Sequence, residues 1–123
     1  MDQKIDIIDY EGFAVLKLDG RFLPGGDPDI SEVMKAKFLE LINRGVVKII
    51  VDLRNVDFFA SNSIGALISG YNLVSNAGGK IALWRPKTYI WDSLKLVKVD
   101  KMISIFSNEE DALAEIGIKI EAI

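Results

Sequence analysis

Residues 46–80 read VVKIIVDLRNVDFFASNSIGALISGYNLVSNAGGK. Val47, Ile49, Val51 and Leu53 form a wholly apolar face of a strand over Val46 to Leu53, while Lys48, Ile50 and Asp52 form a mixed one. The spacing of Ile64, Leu67, Ile68, Tyr71, Leu73 and Val74 predicts a helix from about Asn62 to Asn76, which Ala77-Gly78-Gly79 stops. Lys80 to Trp84 is a further strand. A strand, a helix and a strand in that order make a right-handed crossover between parallel strands. Strands covered by helices on both sides are apolar on both faces. The charges recurring on one face therefore predict helices mainly on the other. Between strand and helix stand Ser61, Asn62 and Ser63. Serine and asparagine cap helix starts, contributing about 1 kcal/mol each. A hydroxyl at such a turn is also one that another protein can modify.

Working outward, Lys4–Ile8 and Phe13–Leu18 are two short apolar runs joined by Asp9, Tyr10, Glu11 and Gly12, a hairpin signal. Residues 20–29, GRFLPGGDPD, hold three glycines and two prolines and read as a loop. Asp29 or Ser31 is placed to cap a helix carrying Val33, Phe38, Leu41 and Ile42, with Gly45 just past its end. Downstream, Pro86 fits the first turn of a short helix with Ile90, Leu94 and Val97. Met102–Phe106 reads as a fifth strand, and Asn108 caps a last helix whose first turn holds Glu109, Glu110 and Asp111.

The predicted fold is α/β: a five-stranded, mostly parallel sheet with one antiparallel edge strand and four helices mainly on one face. Right-handed crossovers between neighbouring strands put every helix on the same side. Lys17, Lys48 and Asp52 are then expected on an uncovered face. The loops leaving the carboxyl ends of neighbouring strands share one rim. The Pro/Gly loop is therefore expected beside Ser61 and more mobile than the core.

Composition narrows the function. The 123 residues read as one domain over 1–123, with half of them hydrophobic, 27% charged and a net charge of −3. No apolar run approaches the ~20 residues that span a bilayer, and the charged N-terminus is not a signal peptide. Without a basic cluster there is no footprint for nucleic acid. The chain has no cysteine and no histidine, so no thiolate metal site is expected and the commonest general base is absent. The acidic residues do not converge in a catalytic motif, and the chain is read as a non-enzyme. Trp84 and Trp91 read as packing residues, and Gly78-Gly79 as a helix stop rather than a phosphate cradle.

The run Asp52-Leu53, Val56-Asp57-Phe58-Phe59, Ser61-Asn62-Ser63-Ile64-Gly65 and Ala66-Leu67 resembles the signature of the STAS domain, whose name comes from sulfate transporters and anti-sigma factor antagonists. Its bacterial stand-alone members carry Asp-Ser-Ser-Gly-Leu-Gly, or a close variant, between a strand and a helix. Ala60 then stands at the family's Asp, Ser61 at its phosphorylatable Ser, and Ile64-Gly65 at the Leu-Gly pair. Asn76–Lys80 and Ser107–Leu113 resemble the helix stop and closing helix of the family, so the likeness spans roughly residues 3 to 117. Two departures stand out. Ala60 removes the acid before the hydroxyl, and Pro24-Gly25-Gly26-Asp27-Pro28 is extra chain after Arg21, Phe22 and Leu23.

The resemblance implies a cytoplasmic anti-sigma factor antagonist without a cofactor of its own. Its expected partner is an anti-sigma factor that is also a serine kinase of the histidine-kinase-like ATPase fold, with a PP2C-type phosphatase resetting the serine. ATP and Mg²⁺ would belong to the kinase. Ser61 is the implied phosphorylation site and Ser63 the second choice. Arg21, Phe22, Asp27, Ala60, Asn62 and Ser63 are the implied partner-binding residues. Neither nucleic-acid binding nor membrane insertion is implied. Ala60 and the long loop leave a second reading: an adaptor that binds a signalling protein or small ligand without a phosphorylation cycle. A response-regulator receiver needs paired acids after its first strand, and the Asp9-Tyr10-Glu11 turn does not supply them.

Overall fold

The computed structural model describes residues 3–119. The elements in order are β1 (Gln3–Tyr10), β2 (Phe13–Phe22), α1 (Ile30–Asn43), β3 (Lys48–Phe59), α2 (Ser61–Asn76), β4 (Lys80–Trp84), α3 (Thr88–Leu96), β5 (Ile105–Phe106) and α4 (Glu109–Glu115), with a 3₁₀ turn at Val99–Lys101. The strands lie in the order β1-β2-β3-β4-β5. β1 runs antiparallel to β2, and the remaining pairs are parallel. This is the predicted α/β architecture.

The two faces of the sheet are built differently. Leu16, Leu18, Ile49, Val51, Leu53, Ile81 and Leu83 pack with Met34, Phe38, Leu41, Leu67, Val74, Ile90 and Leu94 in the main core, under α1, α2 and α3. The alternate residues Ile50, Ala82 and Trp84 form a second core with Ala112 and Leu113 of α4 and Ile116 at its end. Three helices thus share one face and α4 takes the other. The handedness argument does not reach α4, because no strand follows it and it closes no crossover. A small apolar patch on the second face is enough to hold it.

That face is therefore not bare, as the charges at Lys17, Lys48 and Asp52 suggested. Asp52 is only 3% exposed, and Lys17 and Lys48 are half-buried. Lys48 lies alongside Gly117, just beyond α4.

α1 and α2 pack closely. A Cβ placed on Gly70 would sit 2.3 Å from the Phe38 ring, so only glycine lets the two helices meet here. Asp29 caps α1, accepting from the Ser31 N–H. Gly45, at φ +78, follows its end as expected.

Several boundaries differ from the sequence reading. β3 continues beyond Leu53 to Phe59, because Val56 and Phe59 still face the core while β2 runs alongside with two register shifts. β5 is reduced to Ile105–Phe106 because Met102 and Ile103 donate their N–H groups back to Val99 in the 3₁₀ turn. Pro86 precedes α3 instead of lying in its first turn, and Val97 ends that helix 55% exposed.

Candidate functional site

The end of β3 turns directly into α2. Ala60 is the residue before the helix, in extended conformation, and it offers no side-chain cap. Its carbonyl accepts from the N–H groups of Ser63 and Ile64, both at 3.0 Å. Its own N–H donates to the carbonyl of Phe22 at 3.0 Å, tying the start of α2 to the end of β2. Ser61 is the first helical residue and is exposed. The capping role open to it from sequence is not the one it performs, since no side chain caps α2.

The neighbouring polar residues are used differently. Asn62 Nδ2 donates to Asp29 Oδ1 at 2.9 Å. Ser63 is fully buried, and its Oγ is without a hydrogen-bond partner, as is the buried Asn62 Oδ1. The Asp29 carboxylate also accepts from Gly25 N–H at 2.6 Å and from Ser31 N–H and Oγ at 2.9 and 2.7 Å. The Gly25 bond is the chief reason its pKa lies below the ordinary aspartate value, with Ser31 and Asn62 adding to it. Asp29 was legible only as an α1 cap; nothing local in the sequence marked its partner 33 residues away.

Of the other implied binding residues, Arg21 pairs with Phe58 across the β2–β3 register, and both are exposed at this rim. Asp27 is exposed in the loop. Phe22, by contrast, points into the core at 0% exposure, its ring 5.6 Å from that of Phe59. Strand alternation explains this: if Arg21 faces out, Phe22 must face in. Neither Phe22 nor Ser63 presents a side chain to a partner in this conformation.

The rim extends to residues the sequence did not single out. Lys87, just before α3, forms an ion pair with Asp57, which raises the lysine pKa. The Tyr89 hydroxyl donates to the Asp57 carbonyl at 2.9 Å. Phe58 and Tyr89 are 44% and 53% exposed, leaving two aromatic surfaces beside Ser61's strand end. Aromatic side chains of this kind are enriched where proteins bind one another.

A concavity lies on the α4 face. It measures about 240 Å³, and Tyr10, Phe13, Lys17, Asp52, Arg54 and Trp84 are among its lining. Arg54 bonds to Asp52 through Nε and Nη2 and lies 4.3 Å above the Trp84 ring. The hydrogen bond to Asp52 holds the guanidinium pKa above its usual value. These contacts neutralise a buried carboxylate.

Among the described residues no cluster of three or more His, Cys, Asp or Glu is placed to hold a metal. No described helix is long and apolar enough to cross a membrane.

Known proteins share this fold. The anti-sigma F factor antagonist of Paenibacillus polymyxa is 24% identical over 119 residues, 96% of this chain and 98% of that protein. The crystal structure of an anti-sigma factor antagonist from Mycobacterium paratuberculosis superposes with a TM-score of 0.77 at 17% identity, covering 93% of both chains. The phosphorylated form of the Bacillus cell fate determinant SpoIIAA gives a TM-score of 0.66 at 18% identity, covering 91% of this chain and 96% of that one. Residues 4–112 match the STAS domain, and with that match spread across the whole sheet and all of α1–α3, the chain belongs to the STAS domain family.

Proposed function

We propose that this protein is an anti-sigma factor antagonist acting by partner switching. Unmodified, it binds an anti-sigma factor through the rim around Ser61 and so frees a sigma factor. The partner is a serine kinase of the histidine-kinase-like ATPase fold, which phosphorylates Ser61 and thereby ends the binding. A PP2C-type phosphatase restores the serine. The chain is a binding module and not an enzyme, works in the cytoplasm, and needs no cofactor; ATP and Mg²⁺ stay with the kinase.

One observation carries the reading: Ser61 is exposed at the first position of α2 and free of any capping duty. A phosphoryl group there, with about −1.5 to −2 charges, meets the positive end of a 16-residue helix. The fold tolerates it, while a partner fitted to the neutral hydroxyl is repelled. Binding surface is supplied by Arg21, Asp27, Phe58 and Tyr89 around the same turn.

The test is incubation with the cognate kinase, ATP and Mg²⁺, followed by mapping of the phosphate and measurement of binding before and after. Phosphate on Ser61 with loss of binding supports the switch. A second reading, an adaptor without a phosphorylation cycle, is favoured by Ala60, which leaves the turn without the acid usual in the family. Tight binding with no phosphate transfer would select it.

A further inference from the structure

α4 covers only part of the second sheet face, and the cleft of about 240 Å³ opens beside it, reaching from β1 to the first turn of that helix. Strand register sets its chemistry. Ile8 lies opposite Val15 and Val15 opposite Ile50, which makes an apolar row across three strands. Two residues along, Lys17 lies opposite Asp52 and Asp52 opposite Trp84, which makes a polar row on the same face. Tyr10 and Phe13, stacked at 4.8 Å, extend the apolar side. Ile8 and Tyr10 remain 37% and 54% exposed, so this wall is left facing water.

The charges of the polar row are unevenly used. Asp52 is buried and spent on Arg54, accepting from its backbone N–H, Nε and Nη2. A guanidinium carries five N–H donors in a planar fork. Among the described residues Arg54 Nη1 makes no hydrogen bond and Lys17 no ion pair. Glu109 is the other acid of the lining; it is exposed and attracts Arg54 through space alone. Solvent screens an exposed charge more than the half-buried Lys17. Trp84, beneath the guanidinium, keeps its Nε1 buried without an acceptor. The cleft thus joins an open aromatic wall to donors that no protein acid satisfies.

We propose that this cleft is a binding site for a small aromatic carboxylate, distinct from the rim around Ser61. The ring lies against Tyr10, Phe13 and Val15, and the carboxylate meets Lys17 and the free Nη1 of Arg54. A carboxylate is chosen because both open donors are cationic, and charge-assisted hydrogen bonds are the stronger kind. An aromatic ring is chosen because the wall offers ring faces, against which planar groups stack. Size limits the ligand further. At ~30 Å³ per water the cleft displaces about eight waters, below the range of pockets for drug-sized molecules. It suits a single-ring acid.

The experiment titrates phenylacetate into the protein and follows the tryptophan indole N–H resonances by NMR. The chain has two tryptophans. Trp84 lines the cleft, while Trp91 lies on α3 across the sheet and serves as the internal control. A ten-atom ligand is expected to bind with a Kd of about 1 mM. Trp84 should shift and Trp91 stay still. Phenylacetamide, which keeps the ring and loses the charge, should bind about tenfold more weakly, as should phenylacetate to Lys17→Met. Lys17→Arg should restore most of the affinity. Cyclohexylacetate, an acid without a planar ring, should bind severalfold more weakly than phenylacetate. A Trp84 resonance that never moves, equal binding of phenylacetate and phenylacetamide, or full affinity in Lys17→Met overturns the proposal. Tighter binding of phenethylamine than of phenylacetate also overturns it, since Glu109 would then set the charge of the ligand.

Discussion

The N–H of Ala60 donates to the carbonyl of Phe22 at 3.0 Å, so the residue that opens α2 is clamped to the end of the neighbouring strand. Ser61 is therefore positioned by the sheet itself and not by the loop beside it. A sheet-anchored hydroxyl is presented in one geometry, which suits recognition by a kinase active site.

Because Ser61 does not cap α2, Ser61→Ala should change stability by less than about 0.5 kcal/mol, in place of the ~1 kcal/mol a lost cap would cost. Ser61→Asp should stabilise by some 0.3–1 kcal/mol through the helix dipole, yet weaken partner binding. Urea melts of both variants, alongside a binding titration, read the two effects independently. A loss above 1 kcal/mol in Ser61→Ala would show a capping role.

Ser63→Ala removes a fully buried hydroxyl that has no partner. Deleting an unsatisfied buried polar group is neutral or stabilising. The melting temperature should stay level or rise. A fall of several degrees would reveal a hydrogen bond through ordered water.

Gly70→Ala brings a methyl group against the Phe38 ring, where the Cβ would lie at 2.3 Å. Overpacking of this kind costs about 1–3 kcal/mol. Phe38→Leu should recover part of the loss, a coupling that a double-mutant cycle measures. Additive effects would mean that α1 and α2 separate without strain.

Asp29 has a lowered pKa in the folded protein, chiefly through the Gly25 N–H and then Ser31. A group whose folded pKa is depressed contributes stability above its unfolded pKa, about 3.9, and loses it as pH falls through the folded value. The difference in melting temperature between the wild type and Asp29→Ala should thus be largest at neutral pH and shrink below about pH 4. A difference independent of pH would assign the effect to packing alone.

The sheet, its strand order and the three-helix face were legible because apolar alternation and helical spacing are local signals. α4's side was not, since a terminal helix obeys no crossover rule and only the packing of Ile50, Ala82 and Trp84 with Leu113 and Ile116 decides it. At the site, the position of Ser61 followed from the strand-to-helix turn. The burial of Ser63 and Phe22 did not: β2 runs to Phe22, past the Leu18 where the apolar run ended and into the stretch read as a loop, and α2 begins one residue earlier than read, at Ser61, which changes the side chains that face inward. The Asp29–Asn62 bond joins distant residues, and no spacing rule records it. The Asp57, Lys87 and Tyr89 contacts escaped for the same reason.

The most direct test of the switch is to incubate the protein with its anti-sigma kinase, ATP and Mg²⁺ and to locate the phosphate by fragment mass spectrometry. The account predicts one phosphate, on exposed Ser61, and none in Ser61→Ala. Phosphate on buried Ser63, or a kinase that binds the protein tightly and transfers none, would contradict it.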